Sequence, residues 1–505
     1  MDCKGRMLAA SNKVQTIFAE PRTLKEPKDT STQLASIINI GAHDICRLIT
    51  DSGNPGFAKI KVGADVNECQ AVSKISGIGV QTEWERYYPC GNLACHIVGF
   101  TSADNRGLEG IELQYDKELS GASAQDIFFA DAIRRPIRMK QKSGVLKDGV
   151  GIILTIDAAI QQFVREELLK QYKEFQAESA IAIVADPKTG AILAMVSLPD
   201  YNPDQASEIK TDRLKNRALN DQFEPGSILK PFAAAIALDC GKVSLNTVIN
   251  CEYGSYRGKG FGRIGEYGNH RYGNLTVREI LIHSSNIGMA KIGQMLGKEK
   301  LYKGMKLFGF GQKTGIDMPG EEEGRLWPLS RWTGYSVTRV PFGQEITVTG
   351  IQLIQAFCIL SNGGYAVKPY MVKAVVDSNG AIIKLKQNPS AVGFILKPET
   401  ANKIVTDALV GVVTDGTGKG AALKKWQVYG KTGTANIAKT TQKGFSDSDY
   451  VASFIGGAPA KKPEVVVLVS VRKPNKKLGK GYTGGTVAAP VAGRILEKTL
   501  SYLEK

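Results

Sequence analysis

Three short groups of residues carry side chains whose types and spacing suit acyl transfer. In FEPGSILKPF, residues 223 to 232, Ser227 follows Pro225-Gly226 and Lys230 comes three residues later. The stretch SILKPFAAAIALD reads as a buried helix, with Pro231 tolerable because it lies near the first turn. Positions i and i+3 share a helix face, so the Lys230 amine is expected over the Ser227 hydroxyl. A serine at neutral pH is a poor nucleophile without an adjacent base. A lysine can be that base when burial or a second cation depresses its pKa. The helix N-terminus would add a backbone N–H and a positive dipole end for a developing oxyanion. The plainer alternative makes Ser227 an N-cap and Lys230 a snorkelling surface residue, and S-x-x-K alone occurs by chance in most proteins.

The second group is HSSNIGMAKIG, where Ser284 and Asn286 fall between the end of one helix and the start of another. A loop there can project side chains into a cleft. The hydroxyl could relay a proton from Lys230 to a leaving amine, and the amide could hold a substrate carbonyl. Helix capping is the bland alternative, which Ser and Asn do well. The third is YGKTGTAN, a strand carrying Lys431, Thr432, Gly433 and Thr434. A cation with two hydroxyls suits a carboxylate. Gly430 and Gly433 weaken a strand, as expected where another backbone approaches closely, and a strand edge can pair with an extended peptide.

Two look-alikes are set aside. A second Lys-Thr-Gly, residues 313 to 315 in FGQKTGIDMPG, sits among Gly, Gln, Asp and Pro and reads as a loop. GVVTDGTGKG imitates a phosphate loop, but Thr417 stands after Gly416 where the lysine should be.

The elements that must hold these groups come from both ends of the chain. Residues 1 to about 150 are rich in Gly, Asn, Asp and short β-like runs such as KVQTIFAEP, with few long helical patterns. Near residue 150 the pattern changes to VGIILTIDAAIQQFVREELLKQYKEF, a helix capped by Asp157 with Ile160, Phe163, Val164, Glu167 and Leu168 at helical spacing. A boundary there divides a domain of residues 1–150 from one of residues 151–505. SAIAIVADPKTGAILAMVSL reads as a β-hairpin turning at residues 186 to 190. WQVYGKTGTAN, YVASFIGGAPA and EVVVLVSVRKP supply three more strands. The middle is mainly helical, with a Thr276-x-x-Glu279 capping box opening one helix. Five strands around a helical middle give an α+β domain with one mixed or antiparallel sheet.

Bulk properties narrow the class. The formal charge of +16 fits nucleic acid, an anionic membrane or a cell-wall polymer. The basic residues are scattered, with no zinc-finger or RNP-type motif, so nucleic acid is the weaker choice. Eight cysteines without a C-x-x-C and four histidines leave little to build a metal site. Cys90 and Cys95 could pair in an exported protein or remain free thiols. No apolar run approaches the roughly 18 to 20 residues that span a bilayer.

Taken together and in this order, S-x-x-K, S-x-N and K-T-G on a late strand resemble the signature of penicillin-binding proteins and serine β-lactamases. GLEGIELQYDKELSG (107 to 121), LTIDAAIQ, FGFGQKTGIDMPGE, ITVTGIQLIQAF and GGTVAAPVAG are also similar to that family, so the likeness covers nearly the whole chain. It fits best the monofunctional class B transpeptidases. SSN together with GLEGIE is more similar to the septal, cell-division branch than to the elongation branch.

The resemblance implies a penicillin-binding, β-lactamase-like transpeptidase domain with a five-stranded sheet flanked by helices, and a β-rich, non-catalytic N-terminal domain of pedestal or dimerisation type. It implies that Ser227 attacks the penultimate D-Ala carbonyl of a peptidoglycan stem peptide and expels the terminal D-Ala, with Lys230 as its base. Ser284 and Asn286 would assist proton transfer and positioning, while Lys431, Thr432 and Thr434 would bind the terminal carboxylate. The N–H groups of Ser227 and Thr434 would form the oxyanion hole, with Gly433 between the binding threonines. A neighbouring stem's amine would then take the acyl group, and a β-lactam would acylate the same serine. No cofactor or metal is implied. The implied partners are D-Ala-D-Ala stems, β-lactams, a membrane glycosyltransferase and division proteins.

The implied location is the extracytoplasmic bacterial envelope, with a native N-terminal membrane helix preceding MDCKGRMLAAS and absent from this chain. A β-lactamase is the nearest rival, but no Glu motif for a deacylating water stands near the serine and the large first domain has no role there. A D,D-carboxypeptidase, with water as acceptor, is a second rival. A division scaffold with a secondary active site is a third.

Overall fold

A computed structural model describes residues 1–121, 129–130, 136–137, 149–385, 393–438 and 445–504. The chain divides into two compact units, one of Leu8–Pro89 with Thr101–Asn105, the other of Met1–Met7, Cys90–Phe100 and Arg106–Lys505.

The smaller unit is built on a three-stranded antiparallel sheet. Its central strand Ala10–Ala19 pairs with Ala58–Ala64 on one side and Ile78–Tyr87 on the other. Helices Pro27–Ile38, Ala42–Thr50 and Val66–Val72 pack on it. Where the sequence reads as β-rich, the unit holds helix and strand in similar measure. Ser31, Leu34 and Ile38, then Ile45 and Ile49, recur at the helical interval and bury against Ile17 and Ile60. Threonine, serine and isoleucine around them mask that period, because they favour helices weakly on their own. Packing against the sheet decides instead.

The larger unit centres on a five-stranded antiparallel sheet in the order Tyr429–Ala438, Phe445–Ala458, Val465–Arg472, Ser179–Ala185, Ile192–Leu198. The hairpin is closed by Asp186, whose carboxylate accepts from the Lys188 N–H at 2.8 Å and the Thr189 hydroxyl at 2.8 Å. The two ends of the chain meet where Val465–Arg472 pairs with Ser179–Ala185. Every residue of Ser179–Ala185 is buried, because helices cover both sheet faces. On one face Ile160, Val164 and Leu168 of helix Ala158–Glu174, and Ile495 and Leu496 of helix Ala489–Leu503, share a core with Ala180, Ala182 and Val467. On the other, helix Gly350–Ser361 lies so close that a Cβ on Gly350 would stand 2.8 Å from Ile181 Cδ1. Asp157 caps its helix through the Ala159 N–H, and the Thr276–Glu279 capping box forms in full.

Two consequences of this topology position the site. Tyr429–Ala438 is an edge strand, paired only with Phe445–Ala458 among the described residues. The helical middle is threaded between the hairpin and that edge strand. Lys313-Thr314-Gly315 lies in a loop, where Thr314 N–H and hydroxyl both donate to Glu321. Cys90 and Cys95 are both free thiols.

Candidate active site

Ser227 stands on a short 3-10 turn, Gly226–Leu229, that runs into helix Lys230–Asp239. The turn is held from behind. Phe223 and Val348 exchange backbone hydrogen bonds at 3.0 and 2.9 Å, and Gly226 N–H donates to Gly343 O at 3.1 Å. Gly226 has φ +54° and Gly343 φ +84°, and a Cβ on Gly343 would lie 2.0 Å from Gly226 O, so no other residue fits there. The helix that follows is apolar: Lys230 to Ala237 are all buried, and Phe232 packs edge-on against Phe308 and Phe310 with ring centroids 5.1 and 5.4 Å away. Lys230 therefore has no route to the surface and is 0% exposed, which removes the snorkelling alternative.

The Lys230 amine does not bond to Ser227. Its Nζ donates to Ser284 O, to Ser284 Oγ at 3.1 Å and to Asn286 Oδ1 at 2.8 Å. Those three acceptors use all three donors of an ammonium, which is why the expected serine–lysine contact is absent, although Lys230 directly follows the turn that carries Ser227. Catalytic hydrogen bonds commonly tighten only once substrate is bound.

Ser284 is the hub. It ends helix Val277–His283 in a left-handed conformation with φ +61°, and Ser285 then caps helix Asn286–Leu296 through the Gly288 N–H at 3.0 Å. The reversal turns the Ser284 hydroxyl to lie 3.1 Å from Lys230 Nζ and 3.0 Å from Lys431 Nζ. A non-glycine residue held there costs roughly 1–2 kcal/mol, a strain that surrounding structure must impose. Part of that structure is Glu266. Its carboxylate accepts from the Ser285 hydroxyl at 2.5 Å, from Asn286 N–H at 2.6 Å and from Ile287 N–H at 3.3 Å, an anion set on a helix N-terminus. Nothing in GRIGEYGN marks that glutamate in the sequence, since its partners are some twenty residues away and its role depends on the fold.

The third group comes from the edge strand. Lys431 is 0% exposed, with Nζ also donating to Thr432 O at 3.3 Å. Gly433 lets the strand touch the turn that carries Ser227: a Cβ there would stand 2.9 Å from Ile228 Cγ1 and 3.0 Å from Pro225 O. Thr434 Oγ1 accepts the Gly484 N–H at 3.0 Å, which leaves its own proton free to donate. The Thr432 hydroxyl pairs with that of Thr417 at 2.5 Å. Thr417, the residue that spoils the imitation phosphate loop, thus belongs to the site.

Burial governs the electrostatics. It pulls the Lys230 amine down from 10.5 to about 7, against a smaller upward pull from the Glu266 carboxylate. It also holds Lys431 well below the ordinary lysine range, and the positive charge of Lys230 adds to that. Ser227, Ser284, Asn286, Thr432 and Thr434 open onto one cleft of about 650 Å³. His270, Tyr272 and His283 form a stacked ladder along it, with ring centroids 5.5 and 5.8 Å apart. The fold thus gathers Ser227, Lys230, Ser284, Asn286, Lys431, Thr432, Gly433 and Thr434 around one cleft, from three separated stretches of sequence.

Residues 180–497 match the family model described as the penicillin binding protein transpeptidase domain, and residues 1–150 match the penicillin-binding protein dimerisation domain. The chain belongs to the penicillin-binding protein transpeptidase family. It is 34% identical to the stage V sporulation protein D of Bacillus subtilis over 100% of this chain and 78% of that one. It is 31% identical to the peptidoglycan D,D-transpeptidase FtsI of Escherichia coli, over 98% of this chain and 82% of that one. Among solved structures, penicillin binding protein 3 of Mycobacterium tuberculosis in complex with aztreonam superposes with a TM-score of 0.75 at 27% identity, covering 84% of this chain and 91% of that one. This penicillin-binding protein is thus a D,D-transpeptidase of the class B, septal type. Its described residues include no helix long and apolar enough to cross a membrane.

Proposed function

We propose that this transpeptidase cross-links peptidoglycan through an acyl-enzyme on Ser227. The Ser227 hydroxyl attacks the carbonyl of the penultimate D-Ala of a stem peptide, and neutral Lys230 takes its proton. The Ser227 and Thr434 N–H groups receive the oxyanion. Ser284 passes the proton to the departing terminal D-Ala, whose carboxylate is held by Lys431, Thr432 and Thr434. Asn286 orients Lys230 and the stem amide. An amine of a second stem then takes the acyl group.

The observation that carries this reading is the Ser284 hydroxyl, within 3.1 Å of one buried lysine and 3.0 Å of another beside Ser227. A hydroxyl bridging two amines is a proton relay with donors and acceptors already aligned. The aztreonam complex of the Mycobacterium tuberculosis protein supports the further proposal that β-lactams acylate Ser227. Similarity to FtsI supports a septal role and action on peptidoglycan in the cell envelope, and division proteins and a membrane glycosyltransferase are the partners we propose. A functional division near residue 150 is supported by the dimerisation-domain match over residues 1–150.

The test is incubation with a fluorescent penicillin, followed by intact mass, beside a Ser227→Ala variant. A lasting single adduct on the wild type and none on the variant is the expected result. Rapid turnover of the drug without an adduct would replace the transpeptidase reading with a β-lactamase. An adduct that persists in the variant would remove Ser227 from its role.

A further inference from the structure

Transfer to a second stem requires an ammonium group to reach the acyl-enzyme and to lose a proton there. Three acidic side chains line the cleft: Glu224, Glu266 and Asp415. Glu266 is committed to the Ser285 hydroxyl and two backbone N–H groups. Asp415 is exposed and already accepts from the Thr414 hydroxyl. Glu224 differs from both. It lies three residues before Ser227 on the segment whose backbone is locked by the Phe223–Val348 and Gly226–Gly343 hydrogen bonds, and both residues line the cleft. One of its oxygens accepts the Glu345 N–H at 3.1 Å, and no cation forms an ion pair with it among the described residues. Glu345 presents that N–H from a left-handed backbone with φ +61°, and its own Oε2 is buried without a hydrogen-bond partner. That second carboxylate oxygen beside the first adds negative charge to the spot, which Arg325, too far to form an ion pair with Glu224, offsets only in part, so the site still favours a cation.

We propose that Glu224 is the seat of the acceptor's ammonium group, a specificity element that selects an amine over water; this rests on the acyl-enzyme reading above. One ammonium proton passes to the Glu224 carboxylate, which frees the nitrogen lone pair. That nitrogen attacks the acyl carbonyl and forms the N–C bond. The tetrahedral centre then collapses with cleavage of the C–Oγ bond to Ser227. The second proton lost by nitrogen goes to the Lys230 amine and on to the departing Oγ, and the proton on Glu224 leaves to solvent. Burial raises the Glu224 carboxyl to about 7, which suits a group that must take and release a proton near neutrality.

The experiment uses the full chain acylated by an N-benzoyl-D-alanyl thioester, with D-alaninamide as cationic acceptor and methanol as neutral acceptor. Products of transfer and of hydrolysis are separated by chromatography, and acylation is timed separately by thiol release. The expected result is that Glu224→Gln lowers the aminolysis-to-hydrolysis ratio with D-alaninamide at least about tenfold, the scale of one charged hydrogen bond. Its ratio for methanol stays within about twofold of wild type. Glu224→Asp, which keeps the charge, recovers part of the amine ratio. Equal losses for amine and methanol would overturn the inference and make Glu224 a support for the Ser227 turn. So would an unchanged amine ratio, or a fall in hydrolysis alone. If the wild type forms no acyl-enzyme with thioester or penicillin, the underlying reading fails, and that failure is visible before any ratio is measured.

Discussion

Acylation of Ser227 is expected to rise with pH through an inflection at about 7, because Lys230 must be neutral to take the serine proton. Burial pulls its amine from 10.5 down to about 7. An amine left at its ordinary value would be neutral in only a few molecules in ten thousand at pH 7, whereas here about half are neutral. The gain in available base is about a thousandfold, offset in part because a less basic amine takes the proton less readily. Since the folded-state value lies below the unfolded one, the buried cation is a liability to stability that is full below about pH 7 and fades as pH rises toward 10.5. Catalysis and stability therefore improve in the same direction. The assay is the second-order rate of fluorescent-penicillin labelling by stopped flow from pH 5.5 to 9. The drug's carboxylate does not titrate in that window. About one-tenth of the limiting rate is expected at pH 6, half at pH 7 and nine-tenths at pH 8. A control in which His270 and His283 are both replaced by Asn must keep the inflection if it belongs to the amine. Lys230→Arg should give no labelling at any of these pH values, because a guanidinium does not deprotonate. A flat profile, an inflection near 10, or one that vanishes in the histidine control would refute the assignment of Lys230 as base.

Two further substitutions follow from the turn that carries Ser284. Ser284→Gly and Ser284→Ala both remove the hydroxyl between the lysines and should slow labelling about a hundredfold. Glycine is at ease at φ +61° where alanine is not, so the glycine variant should be more stable than the alanine variant by about 1 kcal/mol in urea unfolding. Equal stabilities would mean the turn is not strained. Glu266→Gln keeps the shape but turns two amide protons toward groups that need an acceptor, and should destabilise the protein by about 1–3 kcal/mol. It also removes the anion that pulls Lys230 upward, so the surviving activity should show its inflection below about 7; an upward move would contradict the assigned electrostatics.

Much of the catalytic unit was legible because its signals are local. The buried runs of Ser179–Ala185 and Val465–Arg472, the Asp186–Gly190 turn and the Thr276–Glu279 capping box are written within a few residues of themselves. So were the types of side chain that acyl transfer requires, at Ser227, Lys230, Ser284, Asn286 and Lys431. The helices of the smaller unit were not legible, since their period is masked by residues that favour helices only when packed on a sheet.

What the tertiary structure alone decided is which atoms meet. A hydroxyl in the sequence has no fixed neighbour until the chain folds, and here the left-handed turn at Ser284 sets its Oγ between two lysines that the chain brings from opposite sides. Burial then sets their charge, a property no spacing of residues contains, because it depends on how much water the whole fold removes. Glu266, and the place of Thr417 at the site, escaped notice for the same reason: each bonds to partners supplied by another part of the chain. Residue types fixed the chemistry that was possible, and the exclusion of water around them selected the proton that can move.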